Sequence, residues 1–281
     1  MAVGGHSETS ATALSALAKV VDSVGAPGFC GALADAAATV LDYDNLIILA
    51  YAGADTPCEL YRRSVSPVCY AEVDTKYLTS HYVFDPFYAA HLNRAPRGLH
   101  RLADVQPDKF RSSTYFLEYY SATTLLDEIA LFAYTKTGWT ITACFGRDHV
   151  SGKPFDKRQL TSFGRLADVF SALMERHWAG FQPDAKPEGL ETGEVFDALA
   201  ERLRHRGVSL TRRQIEVALL ILQGHSSRSM AMLLGVSWQT VKVFRRQLYA
   251  RCGISSQAEL FALLSPLLSN RGAAASQSIG S

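Results

Sequence analysis

Apolar residues recur at three- and four-residue intervals through "ATALSALAKVVDSV" and "PGFCGALADAAATVL", which predicts two amphipathic helices early in the chain. The pattern then changes. "NLIILAYAG" is a short β-rich run, and "EIALFAYTK" followed by "GWTITACFGRD" reads as two long strands with a hairpin turn near Thr137-Gly138. "DPFYAAHL" and "STYFLEYYSAT" have the length of short helices, and "FDKRQLTSFGRLADVFSALMERHW" is a long amphipathic one. Helices flanking a mostly antiparallel sheet define an α+β domain of sensor type over residues 11–180.

"FQPDAKPEGLETG", Phe181 to Gly193, is rich in proline, glycine and charge, and marks a domain boundary. The helical pattern "EVFDALAERLRHRG" follows, so residues 181–206 form a linker and connecting helix that either joins the domains or pairs with its copy in a dimer. Residues 207–269 have no strand pattern and predict an all-α, four-helix domain. Its first helix begins at the cap Thr211, carries apolar Ile215, Ala218, Leu219 and Leu222, and stops at Gly224. A serine-capped second helix ends at Gly235, Ser237 caps a third through Arg251, and "SSQAELFALLSPLL" makes a fourth. The tight Gly235-Val236 connection has the spacing of a helix-turn-helix. The small, polar ends, residues 1–10 and 270–281, are expected to be disordered.

Charge separates the two halves. Residues 1–206 hold 20 basic and 25 acidic residues, whereas 207–270 hold seven basic residues against Glu216 and Glu259. A mildly acidic body with a small basic domain suits a nucleic-acid partner. No apolar run reaches the roughly 20 residues of a membrane span, and the start lacks a secretory n-region. Five scattered cysteines without a C-x-x-C pair fit a reducing cytoplasm and give no framework for a metal or cofactor.

The third helix explains what the basic domain is for. Val241, Phe244 and Leu248 form one apolar stripe, which turns Gln239, Lys242, Val243 and Arg246 outward, with Arg245 and Tyr249 on a flank. The outward groups are long donors, and no acid is interleaved among them as a solvated helix face usually has. Such donors suit phosphate oxygens and guanine edges in a major groove. Trp238, Gln239, Lys242, Val243 and Arg246 are the expected base-facing set, and Ser226, Ser227, Thr240, Arg245 and Tyr249 the backbone-facing set.

"LTRRQIEVALLILQGHSSRSMAMLLGVSWQTVKVFRRQLYARCGISSQAELFALL" resembles the LuxR-type (GerE-like) DNA-binding domain. The family pattern is met by Leu210-Thr211, Arg213, Glu216-Val217, Gly224, Ser226, Ala231, Leu234, Val236-Ser237, Thr240-Val241-Lys242, Arg251 and Gly253-Ile254. Ser229, Phe244 and Cys252 depart from it, without removing a groove-facing base. The resemblance implies a transcriptional regulator of double-stranded DNA, with a second copy of itself and RNA polymerase as further partners. It also implies dimerisation through the fourth helix, with Leu260, Leu263 and Leu264 as candidates.

A sensor-like domain on such a module predicts control by a small-molecule effector or by a partner. Asp85-Pro86, after an aromatic run, resembles the Asp-Pro of autoinducer-binding domains, where the aspartate accepts from a ligand amide. Those receptors have a tryptophan and a tyrosine thirteen and nine positions earlier, where this chain has Glu72 and Lys76; Tyr77 and Tyr82 stand near but out of register. An acyl-homoserine-lactone receptor is therefore the alternative, and a GAF-like regulator domain fits the order of elements better. Tyr77, Tyr82, Asp85, Phe87, Tyr88, Tyr115 and Tyr119 are the candidate ligand residues. The stronger reading is structural: the tyrosines are ordinary core, and Asp85 caps the helix that Pro86 begins. An enzymatic N-terminal domain is a further alternative, with Asp127-Glu128 as acids and His81 or His91 as base. Against it, no nucleophile elbow, phosphate loop or H-E-x-x-H occurs, and adjacent acids in a strand face opposite ways. A non-catalytic regulator is expected.

Overall fold

A computed structural model describes residues 4–182 and 192–269. The tail 270–281 and most of the boundary segment lie outside the described residues. The N-terminal expectation of disorder is corrected: helix α1 runs from Gly4 to Asp22, starting inside the segment taken as a loose end. Helix α2 (Phe29–Ala38) follows, then β1 (Asn45–Tyr51) and β2 (Cys58–Ser64). A π turn (Val73–Tyr77) and a 3-10 turn (His81–Phe84) lead to α3 (Pro86–Leu92), β3 (Gly98–Arg101), α4 (Leu102–Val105) and α5 (Thr114–Glu118). The hairpin strands β4 (Leu125–Tyr134) and β5 (Thr140–Asp148) and the long α6 (Lys157–His177) complete the domain.

The five strands form an antiparallel sheet in the order β2-β1-β5-β4-β3. Strand period decides which core each side chain enters. Leu46, Ile48, Ala50, Ile129, Leu131 and Ala133 pack against α1, α2 and α6. Their neighbours Ile47, Leu49, Tyr51, Ala130 and Phe132 point to the other face, under α3 to α5. The expected α+β architecture is thus observed. The two strands absent from the sequence reading, β2 and β3, are the edges of the sheet. β2 is half-exposed and polar, and β3 has four residues, so neither carries an apolar period.

The C-terminal helices are α7 (Thr192–His205), α8 (Arg212–Gln223), α9 (Ser227–Leu234), α10 (Trp238–Cys252) and α11 (Gln257–Ser269). α7 packs on α8 and α11, burying Leu199 and Leu203 with Ile215, Leu248 and Leu264. The connecting helix therefore joins the bundle core. Leu260 and Leu264 are fully buried inside the same chain, which corrects their assignment as dimer contacts. Leu263 is half-buried and packs on the same cluster.

Candidate DNA-reading face and interior pocket

The helix-turn-helix is built by its caps. Thr211 and Gln214 exchange hydrogen bonds as a capping box, Ser226 accepts from the Ser229 amide, and Ser237 accepts from the Thr240 amide. Between α9 and α10 the chain must reverse at one residue, and Gly235 does so with φ of 64° in the left-handed region. Val241 and Leu248 sink into the core and fix the rotation of α10. Gln239, Lys242, Val243 and Arg246 are left exposed, as expected, and Trp238 is 47% exposed.

The face is partly pre-arranged. The Lys242 ammonium sits 4.0 Å from the Trp238 ring centroid, a cation–π contact that restricts both side chains beside the groove position. Arg245 is half-buried and donates to the Ser227 hydroxyl at 3.3 Å, and the Ser237 and Thr240 hydroxyls meet at 2.8 Å. Tyr249 is half-buried against the core rather than freely presented. The expected base-facing residues thus share one exposed face, and the backbone-facing ones form its margin.

That margin touches the N-terminal domain. The Ser226 amide donates to Asp108 Oδ1 at 2.9 Å, and the Lys109 amide donates to the Gly224 carbonyl at 3.0 Å. Burial works against the charge of Asp108, but hydrogen bonds from Ser226 outweigh it and hold the carboxyl below the usual range. Gly224 has φ of 98°, and a Cβ there would lie 2.8 Å from Ser113 Cβ and 3.0 Å from the Lys109 carbonyl oxygen. Only glycine permits both the turn and this approach. Gln223 donates to the Val83 carbonyl, Gln257 to the Thr114 hydroxyl, and Phe261 packs on His81 and Phe84. None of these interdomain contacts has a sequence period to betray it. A cleft of about 520 Å³ opens beside them, lined by Lys109, Ser226, Ser227, Arg228, Trp238 and Arg245.

Inside the N-terminal domain, Asp85 Oδ1 accepts from the Phe87 amide at 2.8 Å and so caps α3. Its Oδ2 accepts from the Tyr77 hydroxyl at 2.6 Å, which in turn lies 3.1 Å from the Tyr51 hydroxyl. Asp85 is thus the helix cap that the sequence offered, and it also faces a cavity. Tyr77 reaches it from a π turn, whose wider winding shifts side chains off the α-helical count. The cavity, about 30 Å³, is lined by Tyr77, Asp85, Tyr115 and Tyr119 of the expected set. Tyr82, Phe87 and Tyr88 are buried outside its wall, Tyr82 edge-on to Tyr88 at 5.0 Å. These residues pack on other aromatic rings, and Tyr88 also lines a separate cleft of about 670 Å³ together with Val83, Phe84, Leu220 and Gln223.

Tyr120 and Glu128 also line it. Glu128 stands on β4 in register with Ala130 and Phe132, an acid on an otherwise apolar inward face, and that was its sequence signal. Asp127 points the other way and accepts from the Phe155 amide. Burial drives the Glu128 carboxyl well above its usual range, reinforced by Asp85 and Asp127. Burial likewise raises Asp85 to about 6, against the hydrogen bonds from Tyr77 and Phe87. His91 is held between the Thr140 hydroxyl and the Gly53 carbonyl, each at 2.8 Å, and His81 near Ser80 and the Lys76 carbonyl.

A capped helix-turn-helix whose exposed face carries Lys242 and Arg246 and no acid suits a DNA-binding regulator, and comparison with known proteins agrees. Residues 208–264 match the model of the bacterial regulatory proteins of the luxR family. The chain is 31% identical over 190 residues to the HTH-type transcriptional regulator in the exeN 3′ region of Aeromonas salmonicida, covering 64% of this chain and 92% of that one. The chain belongs to the LuxR family of helix-turn-helix transcriptional regulators. Its N-terminal fold is similar to the ligand-binding domain of VqsR from Pseudomonas aeruginosa, with a TM-score of 0.50, 22% identity, and 60% and 97% of the two chains covered. The structure of Escherichia coli SdiA aligns over 91% of this chain and 98% of its own, at 14% identity and a TM-score of 0.41. Among the described residues, no helix is long and apolar enough to cross a membrane.

Proposed function

We propose that the chain is a non-catalytic, dimeric regulator of transcription in the cytoplasm, and that a small molecule received by its N-terminal domain sets how freely α10 reaches duplex DNA and how the complex meets RNA polymerase. One observation carries this reading. The segment from Asp108 to Tyr120 both walls the interior cavity, through Tyr115, Tyr119 and Tyr120, and clamps the turn between α8 and α9, through Lys109 on Gly224 and Asp108 on Ser226. The amino end of a helix is where a DNA phosphate would bind, and here a carboxylate occupies its margin. The docked arrangement is the low-affinity form, and displacement of the segment releases the reading head.

The test compares two acids on neighbouring turns. Asp108→Ala removes the carboxylate on Ser226, and Asp104→Asn removes an exposed charge for which no contact with the helix-turn-helix occurs among the described residues. Because Asp108 is exposed, its contact is worth only about 0.5–1 kcal/mol, or about two- to fivefold in DNA affinity. Fluorescence anisotropy on random-sequence and selected duplexes should give that gain for Asp108→Ala beyond the effect of Asp104→Asn. Equal gains, or none, would remove the clamp from the mechanism.

A further inference from the structure

The interior cavity has an unbalanced wall. Asp85, 8% exposed, and Glu128 both line it, and among the described residues no lysine, arginine or histidine does. Among the same residues the Glu128 carboxyl has no hydrogen-bond partner, while Asp85 takes one proton donor on each oxygen. A second, independent sign comes from the tyrosines. Tyr120 is 6% exposed and lines the same cavity, and its hydroxyl has no partner among the described residues. Tyr115 and Tyr119, 3% and 6% exposed, complete the wall, their rings 5.6 Å apart. The unpaired Tyr120 hydroxyl forfeits hydration and the half-buried Glu128 carboxyl keeps only part of its own, and native interiors keep such groups mainly where something else comes to satisfy them.

The complement of this wall is a group that brings N–H donors and positive charge to two acids and several aromatic faces. We propose that the cavity takes a small protonated amine, its N–H groups shared between Glu128 and Asp85 and its charge set against the tyrosine rings; this rests on the ligand-controlled function proposed above. A lactone offers mainly carbonyl acceptors, and so would leave the Glu128 carboxyl unanswered. Rings of tyrosine add to the attraction for a cation once water is excluded. At about 30 Å³ the cavity has room for little more than the ammonium head. The rest of the ligand must displace Tyr115 and Tyr119, which sit on a five-residue helix and the turn after it. Asp108 and Lys109 lie on the same stretch of chain, so entry of the amine and release of α9 are one movement.

The experiment uses the full chain and matched probes: n-butylamine, n-octylamine and tyramine against n-butanol, n-octanol and tyrosol, with N-hexanoyl-homoserine lactone as a further arm. Binding is read by calorimetry and thermal shift on the wild type and on Glu128→Gln, which keeps size and removes charge. At least one amine should bind about 10- to 100-fold more tightly than its alcohol, as expected for a hydrogen bond to a charged group, and Glu128→Gln should erase the difference. Amines no better than alcohols, unaltered amine binding by Glu128→Gln, or tight binding of the lactone alone would each overturn the proposal. DNA affinity is measured in parallel by anisotropy. Glu128-dependent amine binding with unchanged DNA affinity would uphold the ligand class while refuting the control mechanism.

Discussion

Replacing Gly224 by alanine separates the docking of the two domains from the stability of the helix-turn-helix. Any L-residue at φ of 98° meets the left-handed penalty of about 1–2 kcal/mol. Gly253, the cap of α10, has φ of 64° and nothing within 4 Å of the point where a methyl would stand, so Gly253→Ala meets that penalty alone. At Gly224 the methyl also meets Ser113 Cβ at 2.8 Å and the Lys109 carbonyl oxygen at 3.0 Å, and the second is backbone with little freedom to rotate away. Ordinary contact requires the segment to retreat by roughly 0.6 Å, which stretches the Lys109 amide bond to Gly224 from 3.0 Å to about 3.6 Å, beyond hydrogen-bond range. The lost bond is worth about 1 kcal/mol and the overpacking about 1–2 kcal/mol more, so docking weakens roughly 30- to 150-fold. Hydrogen exchange reads this locally. The Lys109 and Ser226 amides, both bonded across the interface, should exchange faster in Gly224→Ala and at the wild-type rate in Gly253→Ala. Protection retained in Gly224→Ala, or lost equally in both variants, would refute the interface geometry.

Other outcomes follow from the same structure. Lys242→Ala with Arg246→Ala should leave the melting temperature unchanged, since both residues are exposed, and should abolish selection among duplexes, with each lost base contact costing about 1–3 kcal/mol. The salt dependence of non-specific binding should become shallower by about one counterion for each phosphate contact removed. Phe261→Ser, which loses the packing on His81 and Phe84 without touching the DNA face, should raise DNA affinity in the same sense as Asp108→Ala. Stability should also depend on pH in a defined direction. Asp85 binds its proton near pH 6 when folded and near 3.8 otherwise, so the folded chain holds the extra proton between these values. The contribution of Asp85 to stability is therefore greatest below about pH 4, falls by on the order of 2–3 kcal/mol as pH rises through about 6, and changes no further above that, while Glu128, raised by the same burial, adds a loss in the same direction. Melting curves of Asp85→Asn should show a flatter profile over that window, and an unchanged slope would place the titration elsewhere.

Much of this was legible in residue order. The C-terminal helices, their caps at Thr211, Ser226 and Ser237, and the outward turn of Lys242 and Arg246 follow from local rules, because capping and 3.6-residue periodicity act over a few positions. The hairpin and α6 were equally plain. What escaped depends on long-range contact. β2 and β3 lie at the sheet edges and have little apolar period, and the docking of Asp108 on Ser226 joins residues 118 positions apart. Glu128 was visible as a residue, but its meaning depends on Asp85 lying across the same cavity. Leu260 and Leu264 misled for a related reason: an apolar helix face can serve a partner copy or its own bundle, and burial assigns it to the bundle.

The apolar cluster that begins at Ile47 and Phe132 in the sheet continues without a break through Val83 and Phe84 into Leu222 and Leu264 of the C-terminal bundle. Two domains with a shared interior do not depend on the peptide linking them to stay together. Cleaving the chain between Pro183 and Glu191 should yield two polypeptides that copurify and melt in a single transition, so the halves behave as complementing fragments rather than as beads on a string.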